Sequence, residues 1–202
     1  MVEHRIPTID DTPINVKPFR CAHVHKQIIE DQVQQMLKDG VISPYRSSYN
    51  SHVFIIPKKA TIDGAPKYRM VIDFRSLNYR TIAGAYQLSL INSILDNLRN
   101  AAYFSTLDLV SSYNQISICP EDRKKTSFTV SFGKYVFNSM AFGLCNAPAT
   151  FQRFVDNILL GLQGFKIFAF LDDIFVFGRN LADHNNKIRI VFERLTIARV
   201  VL

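Results

Sequence analysis

Residues 168–177 read FAFLDDIFVF and place two adjacent acids, Asp172 and Asp173, inside an apolar run rich in aromatic residues. Gly164 and Gly178 bound the run, and Phe with β-branched residues at this length is typical of two buried strands. The pattern therefore predicts a β-hairpin with the two acids in a tight turn at its tip.

Two carboxylates in such apolar surroundings need partners. Burying them without compensation costs roughly several kcal/mol, which a divalent cation or hydrogen-bond donors would offset. Asp is also common in hairpin turns for purely conformational reasons. This stretch alone leaves both interpretations open, a metal site and a polar turn.

Composition and charge limit the class of protein. With 202 residues and 48% hydrophobic content, the chain can form one or two compact globular units. Its net charge of +7 favours polyanionic partners, nucleic acid first, and a basic surface that serves solubility alone is the alternative.

The cysteines and the hydropathy pattern bear on the cellular compartment in which the protein is expected. Cys21, Cys119 and Cys145 are odd in number and widely spaced, which indicates neither a disulfide framework nor a zinc site and suits a reducing compartment. No stretch approaches the ~18 consecutive apolar residues of a membrane span. Because the polar start is also unlike a signal peptide, we expect an intracellular protein without a membrane partner.

The first half of the chain combines a helix with a hairpin. Residues 1–20 carry three prolines and are expected to form an extended arm over the surface. Apolar spacing predicts a helix over 21–39 with a left-handed residue at Gly40. Strands are predicted at 53–56 and 68–72.

The loop between these strands is basic. It groups Lys58, Lys59 and Lys67 with Arg69 near one end of the predicted hairpin. Such a cluster could hold phosphates, although a solvated basic loop is the more common outcome.

The second half alternates short helices with strands. We predict helices over 91–100, 148–162 and 181–199, strands over 103–109 and 115–118, a solvated charged turn over 120–125, and a hairpin over 126–137 about Gly133. Strands joined mostly by hairpins, with helices between them, indicate an α+β class.

A third acid, Asp108, closes the strand over 103–109. Together with Asp172, Asp173 and the basic cluster it matches the needs of two-metal phosphoryl transfer. Like charges this close would raise one another's pKa, whereas divalent cations between them would keep all three ionised.

Three ordered motifs then point to a family: FSTLDL at 104–109, FGLCNAPATFQ at 142–152 and FLDD at 170–173. They resemble reverse transcriptase motifs. The supporting stretches at 53–59, 68–78 and 125–128 are similar, more narrowly, to the Pol polyproteins of gypsy-type LTR retrotransposons. The resemblance covers nearly the whole chain.

The resemblance implies a role for several residues. It makes Asp108, Asp172 and Asp173 catalytic acids that bind two Mg²⁺ ions, or Mn²⁺, with the Leu109 carbonyl as a further ligand and Asp173 as the least direct one.

It also implies nucleotide and template contacts. Lys58 and Arg69 would grip the incoming triphosphate, and Tyr113 would abut the 2′ position of the sugar and exclude ribonucleotides. Phe142 and Gly143 would lie beside the nascent base pair, with Gln152 on the helix behind and facing the template.

Some positions depart from the family pattern. His52 and Ala141 replace prolines, Ser112 replaces a glycine and Phe170 replaces a tyrosine. None of these changes removes a catalytic group.

The implied fold is the right-hand polymerase fold, with an antiparallel palm sheet packed on helices. Fingers would comprise about 1–80 and 115–150, interleaved with a palm of about 81–114 and 151–202. The thumb and RNase H domain of the family would follow Leu202, so we expect this chain to lack them.

The implied function is RNA-directed DNA polymerase activity on a primed RNA or DNA template with dNTPs. The rest of a Pol polyprotein, including thumb, RNase H and integrase, would be its partner, and the location a cytoplasmic virus-like particle. An inactive retroelement remnant that at most binds nucleic acid and an RNA-dependent RNA polymerase are the alternatives, although Tyr113 argues against the second.

Overall fold

The computed structural model describes residues 2–17, 23–57, 68–86, 101–163, 167–170 and 173–201. Within these ranges the helices are α1 (His23–Lys38), α2 (Arg75–Arg80), α3 (Ala147–Ile158) and α4 (Leu181–Ile197). The strands are β1 (Ile42–Pro44), β2 (His52–Pro57), β3 (Tyr68–Asp73), β4 (Tyr103–Asp108), β5 (Phe128–Val130), β6 (Gly133–Phe137), β7 (Ile167–Phe170) and β8 (Asp173–Gly178). Helices mixed with antiparallel sheets confirm the α+β class.

The chain divides into two compact units. Unit 1 contains Glu3–Ala83 and Ser117–Ala147, and unit 2 contains Gly84–Ile116 and Pro148–Leu202. Each unit is therefore built from two separate segments of the chain.

Unit 1 contains a three-stranded sheet in the order β1-β6-β5 and a two-stranded sheet of β2 and β3, all antiparallel. Helix α1 packs against β1 and β3 and buries Val33 completely. Gly40 follows α1 with φ +70°, a conformation that glycine adopts without steric cost, which confirms the predicted left-handed residue.

The N-terminal segment of unit 1 corrects one prediction. The His4 amide donates to the Ser117 carbonyl at 2.8 Å, and the Cys119 amide donates to the His4 carbonyl at 2.9 Å. His4 and Ile6 are 1% and 2% exposed. The predicted surface arm is therefore right for most of residues 2–17, which are largely exposed, but wrong at His4 and Ile6, which are buried against segments far along the chain.

The charged turn at 120–125 is also not simply solvated. Lys125 is only 7% exposed, and its Nζ donates to Asp122 Oδ1 and to the Ile6 carbonyl, both at 2.6 Å. The other Asp122 oxygen accepts from the Ile6 amide at 2.9 Å. The turn thus joins the N-terminal segment to the core of unit 1.

The predicted strand over 115–118 is wrong as well. Gln115 ends a short 3-10 helix, Ser112–Gln115, while Ser117 and Ile118 form only isolated bridges. The Gln115 side chain donates to the Val110 carbonyl at 2.7 Å, a local bond that favours a tight turn. The neighbouring hairpin of β5 and β6 is confirmed, with Gly133 as the first residue of β6.

Unit 2 contains an antiparallel sheet in the order β4-β8-β7, which confirms the hairpin of the opening motif. Asp173 is the first residue of β8 rather than a turn residue, since it pairs with Phe170. Helix α4 packs on β8 and β4 and buries Val191 and Leu195.

Of the helices predicted for unit 2, one is shorter than predicted and one lies outside the described residues. Helix α3 ends at Ile158, four residues before the predicted end at 162, and continues as turns. The helix predicted over 91–100 lies outside the described residues. Among the helices that are described, none has the length and apolar character needed to cross a membrane.

Candidate active site

The site begins with two acids on neighbouring strands of unit 2. Asp108 is the last residue of β4, Asp173 is the first residue of β8, and the two are direct register partners. Directly opposed residues of antiparallel strands project from the same face, with Cβ atoms about 4.5–5.5 Å apart. The sheet therefore holds both carboxylates side by side.

The strand period determines which face carries them. Leu107 and Ile174 form the preceding pair and project to the opposite face, where Ile174 is fully buried. Asp108 is exposed and Asp173 is half-buried. The acids thus lie where solvent can reach one face of an otherwise packed sheet.

This pair fits a divalent metal ion. Carboxylate oxygens are the ligands that Mg²⁺ and Mn²⁺ prefer, and two anions this close repel unless a cation lies between them. Asp172 lies outside the described residues. Among the residues that are described, no three His, Cys, Asp or Glu side chains form a metal-binding group.

The segment that follows Asp108 determines the position of Tyr113. Leu109 is buried, Ser111 has left-handed backbone angles, and Tyr113 lies in the 3-10 helix that follows. The half-buried Tyr113 ring packs on the buried ring of Phe151, 5.4 Å away. This contact supports one side of the tyrosine from within unit 2.

Gln115 holds the same segment from its other end, a role that the sequence does not indicate. Its amide donates to the carbonyls of Val110 and Val201 at 2.7 and 2.9 Å, and it accepts from the Val201 amide at 3.0 Å. No local sequence pattern could predict this pairing, because Val201 lies 86 residues from Gln115 along the chain.

Gln152 lies inside unit 2 and is only 2% exposed. Its Nε2 donates to Asp156 Oδ1 and to the Ala169 carbonyl, both at 3.0 Å. The structure thus places Gln152 against strand β7, while a contact with a template stays a prediction.

The Phe142-Gly143 loop belongs to unit 1. Phe142 is 58% exposed, and Gly143 has φ +91°, which side-chain-bearing residues rarely adopt. Asn78 holds the loop: its amide donates to the Gly143 carbonyl at 2.7 Å, and its oxygen accepts from the Cys145 amide at 3.0 Å. Asn78 is the last residue of the motif at 68–78, and the motif alone does not indicate this role.

The predicted phosphate-binding cluster is described in part. Arg69 is exposed on β3 opposite Ile56, whereas Lys58, Lys59 and Lys67 lie outside the described residues. At the end of the same strand, the Arg75 guanidinium holds the pKa of the Asp73 carboxyl below its usual value through a bidentate hydrogen bond.

Comparison with solved structures defines the class. A foamy viral protease-reverse transcriptase in complex with an RNA/DNA hybrid superimposes with a TM-score of 0.84 at 26% identity, over 99% of this chain and 27% of that one. Together with the antiparallel sheet that carries the acid pair, this likeness gives the chain a polymerase fold of the α+β class.

The family follows from the sequence comparisons. The family model described as reverse transcriptase (RNA-dependent DNA polymerase) matches residues 56–201, so the chain belongs to the reverse transcriptase family. The Drosophila melanogaster retrovirus-related Pol polyproteins from transposons 297 and gypsy are each 41% identical, over 100% and 96% of this chain. The chain spans about a fifth of the length of these curated relatives, 19% of each.

Proposed function

We propose that this chain is the part of an RNA-directed DNA polymerase that carries out nucleotidyl transfer. The register pair of Asp108 and Asp173 on an open sheet face, in a chain of the reverse transcriptase family, supports this proposal. In the reaction, the primer 3′ hydroxyl attacks the α-phosphate of a dNTP and pyrophosphate leaves.

The acids of unit 2 would hold the metal ions, with Asp172 and the Leu109 carbonyl as further ligands. Reverse transcriptases use divalent metals, and we propose two Mg²⁺ ions here, which Mn²⁺ could replace. When bound, these ions would lower the pKa of the attacking hydroxyl and stabilise the charge on the leaving pyrophosphate.

Other residues would select and orient the nucleotide. In the proposal, Lys58 and Arg69 bind the triphosphate, because guanidinium and ammonium groups donate strongly to phosphate oxygens. Tyr113 excludes a 2′ hydroxyl, and its packing on Phe151 would prevent the tyrosine ring from moving aside to admit one. Phe142, Gly143 and Gln152 contact the base pair or the template.

The two units would then correspond to subdomains. We propose that unit 1 is the fingers and unit 2 the palm. The partners would be a primed RNA or DNA template, dNTPs and the remainder of a Pol polyprotein, within a cytoplasmic virus-like particle. The net charge of +7 supports binding to phosphate backbones, which should weaken as salt rises.

Primer extension on an RNA template with Mg²⁺ and dNTPs tests the proposal. Asp173→Asn should lower the rate at least about 100-fold, because a carboxylate that holds the charge-stabilising metal ions is lost. Asp31→Asn, an equivalent change at an exposed position of α1, should leave the rate unchanged.

Three outcomes would contradict it. Binding of a primed template without extension would favour the nucleic-acid-binding remnant. Preferential use of ribonucleotides would favour an RNA polymerase. Equal rates for Asp173→Asn and the unmutated chain would remove the acid pair from the reaction.

A further inference from the structure

Strand β7 lies at the edge of the unit 2 sheet, and side chains pair with its outer main-chain groups. The Ala169 carbonyl accepts from Gln152 Nε2 at 3.0 Å, and the Ala169 amide donates to Gln163 Oε1 at 3.2 Å. The two glutamines thus occupy the position that a further strand would take at this residue. Ala169 itself is 1% exposed.

One carboxylate orients both glutamines. Asp156 Oδ1 accepts from Gln152 Nε2 at 3.0 Å and from Gln163 Nε2 at 2.6 Å. Because the Gln163 nitrogen faces Asp156, its oxygen is turned towards the Ala169 amide. Gln152 and Asp156 are four residues apart on α3, which places them on the same face of the helix.

A tyrosine completes the cluster from another segment of unit 2. The Tyr86 hydroxyl donates to Asp156 Oδ2 at 2.5 Å, and this hydrogen bond, with burial, raises the pKa of Tyr86 to about 12. The phenol therefore keeps its proton, and its hydrogen bond to Asp156, to a higher pH than an ordinary tyrosine would. Arg153 lies 5.5 Å from the centre of the Tyr86 ring.

We propose that Gln152, Asp156 and Gln163 are positioning residues for the acid pair, a proposal that rests on the proposed function above. In this role they act on the main chain of β7, and the template contact proposed above for Gln152 is separate from it. The structure assigns Asp156 the central place, because both glutamine amides and the Tyr86 hydroxyl converge on its carboxylate.

The sheet register carries this effect to the acids. Ala169 is followed by Phe170, which pairs with Asp173, and Asp173 pairs with Asp108. A displacement of β7 along its edge therefore reaches the pair within two steps of the sheet. Holding Ala169 at both its amide and its carbonyl resists that displacement.

Gln163→Ala and Asp156→Ala test the proposal. Loss of the bond to the Ala169 amide should accelerate its hydrogen exchange about tenfold, as expected for one hydrogen bond. Supporting residues of metal sites typically affect metal affinity 10- to 100-fold. Both variants should therefore bind Mn²⁺ about tenfold more weakly, measured by electron paramagnetic resonance of free Mn²⁺ without nucleic acid.

Conservative variants separate positioning from general stability. Asp156→Asn keeps an oxygen for the glutamine amides and can donate to the Tyr86 oxygen, so it should bind Mn²⁺ nearly as the unmutated chain does. In primer extension, Gln163→Ala should lower kcat about tenfold and leave the KM for dNTP unchanged.

The matched controls come from unit 1. Gln35→Ala removes an exposed glutamine amide of α1 that is bonded to Asp39, and Tyr79→Phe alters a tyrosine that is 89% exposed. Neither should alter Mn²⁺ affinity. Tyr86→Phe keeps the side-chain volume and should weaken Mn²⁺ binding in the same direction as Gln163→Ala.

Three results would overturn the inference. Faster exchange at Ala169 with unchanged Mn²⁺ affinity would make the cluster purely structural, and so would a fall in melting temperature alone. Absence of Asp173-dependent Mn²⁺ binding in the unmutated chain would leave no acid pair to position. Mn²⁺ binding that responds to Gln163→Ala, in a chain that does not extend primers, would contradict the proposed function and support the inference.

Discussion

Lys125→Met should destabilise unit 1 far more than an ordinary lysine substitution would. The Lys125 ammonium is buried and donates to Asp122 and to the Ile6 carbonyl, both at 2.6 Å. Methionine would fill a similar volume but donate no hydrogen bond. Asp122 would then remain a largely buried carboxylate, with its side chain 15% exposed.

The size of the loss in unfolding free energy depends on the hydrogen bond that Asp122 retains in the variant. Removing one partner of a buried ion pair costs about 3–5 kcal/mol. The Ile6 amide still donates to Asp122 at 2.9 Å, which compensates part of the lost attraction. We therefore expect the free energy of unfolding to fall by about 3 kcal/mol, near the lower end of that range.

Urea unfolding at neutral pH, followed by circular dichroism, measures this change. Lys124→Met is the matched control, because the neighbouring Lys124 is exposed, and it should change the free energy of unfolding by less than about 0.5 kcal/mol. Equal effects of the two variants, or a loss below about 1 kcal/mol for Lys125→Met, would refute a structural role for the buried pair.

Three further predictions concern other parts of the chain. Burial lowers the pKa of His4 to about 4, with Asp122 opposing, so the unfolded chain binds more protons between about pH 6.5 and 4. Stability should fall by up to about 3 kcal/mol as pH falls through this window, and His4→Gln should remove the dependence in urea midpoints at pH 7 and 4.5. Tyr113→Ala should raise ribonucleotide over deoxyribonucleotide incorporation at least about tenfold in kcat/KM, and an unchanged ratio would contradict the proposed steric role. Asn78→Ala should accelerate exchange of the Cys145 amide about tenfold, whereas Asn78→Asp, which keeps the acceptor, should not.

The sheet of unit 2 could be predicted from the sequence because its strands are encoded locally. The alternating run at 103–108, which ends at Asp108, forms β4, and the apolar stretches at 167–170 and 173–178 form β7 and β8. The pairing of Asp108 with Asp173 then follows from the register that these strands adopt. Periodicity alone does not state that register, so the sequence predicts that the acids form one site but not that Asp108 and Asp173 are directly opposed.

The burial of His4 in the N-terminal segment and of Lys125 could not be predicted from the sequence, because both depend on long-range polar contacts. The sequence does not show that His4 is buried, because its main-chain partners Ser117 and Cys119 lie more than a hundred residues away. In the sequence, Lys125 cannot be distinguished from the exposed Lys124 beside it. Only the folded chain brings Asp122 and the Ile6 carbonyl to its ammonium group. In each case a polar group finds its partner only in the folded chain, and composition cannot indicate which group will do so.

The glutamines beside Ala169 also have a consequence for solubility. An edge strand with open amide and carbonyl groups is a template on which a second chain can add a strand, and apolar strands such as IFAF at 167–170 promote aggregation when they are available for this. Gln152 and Gln163 engage both groups of Ala169. Intermolecular strand addition at this point must therefore first break two hydrogen bonds.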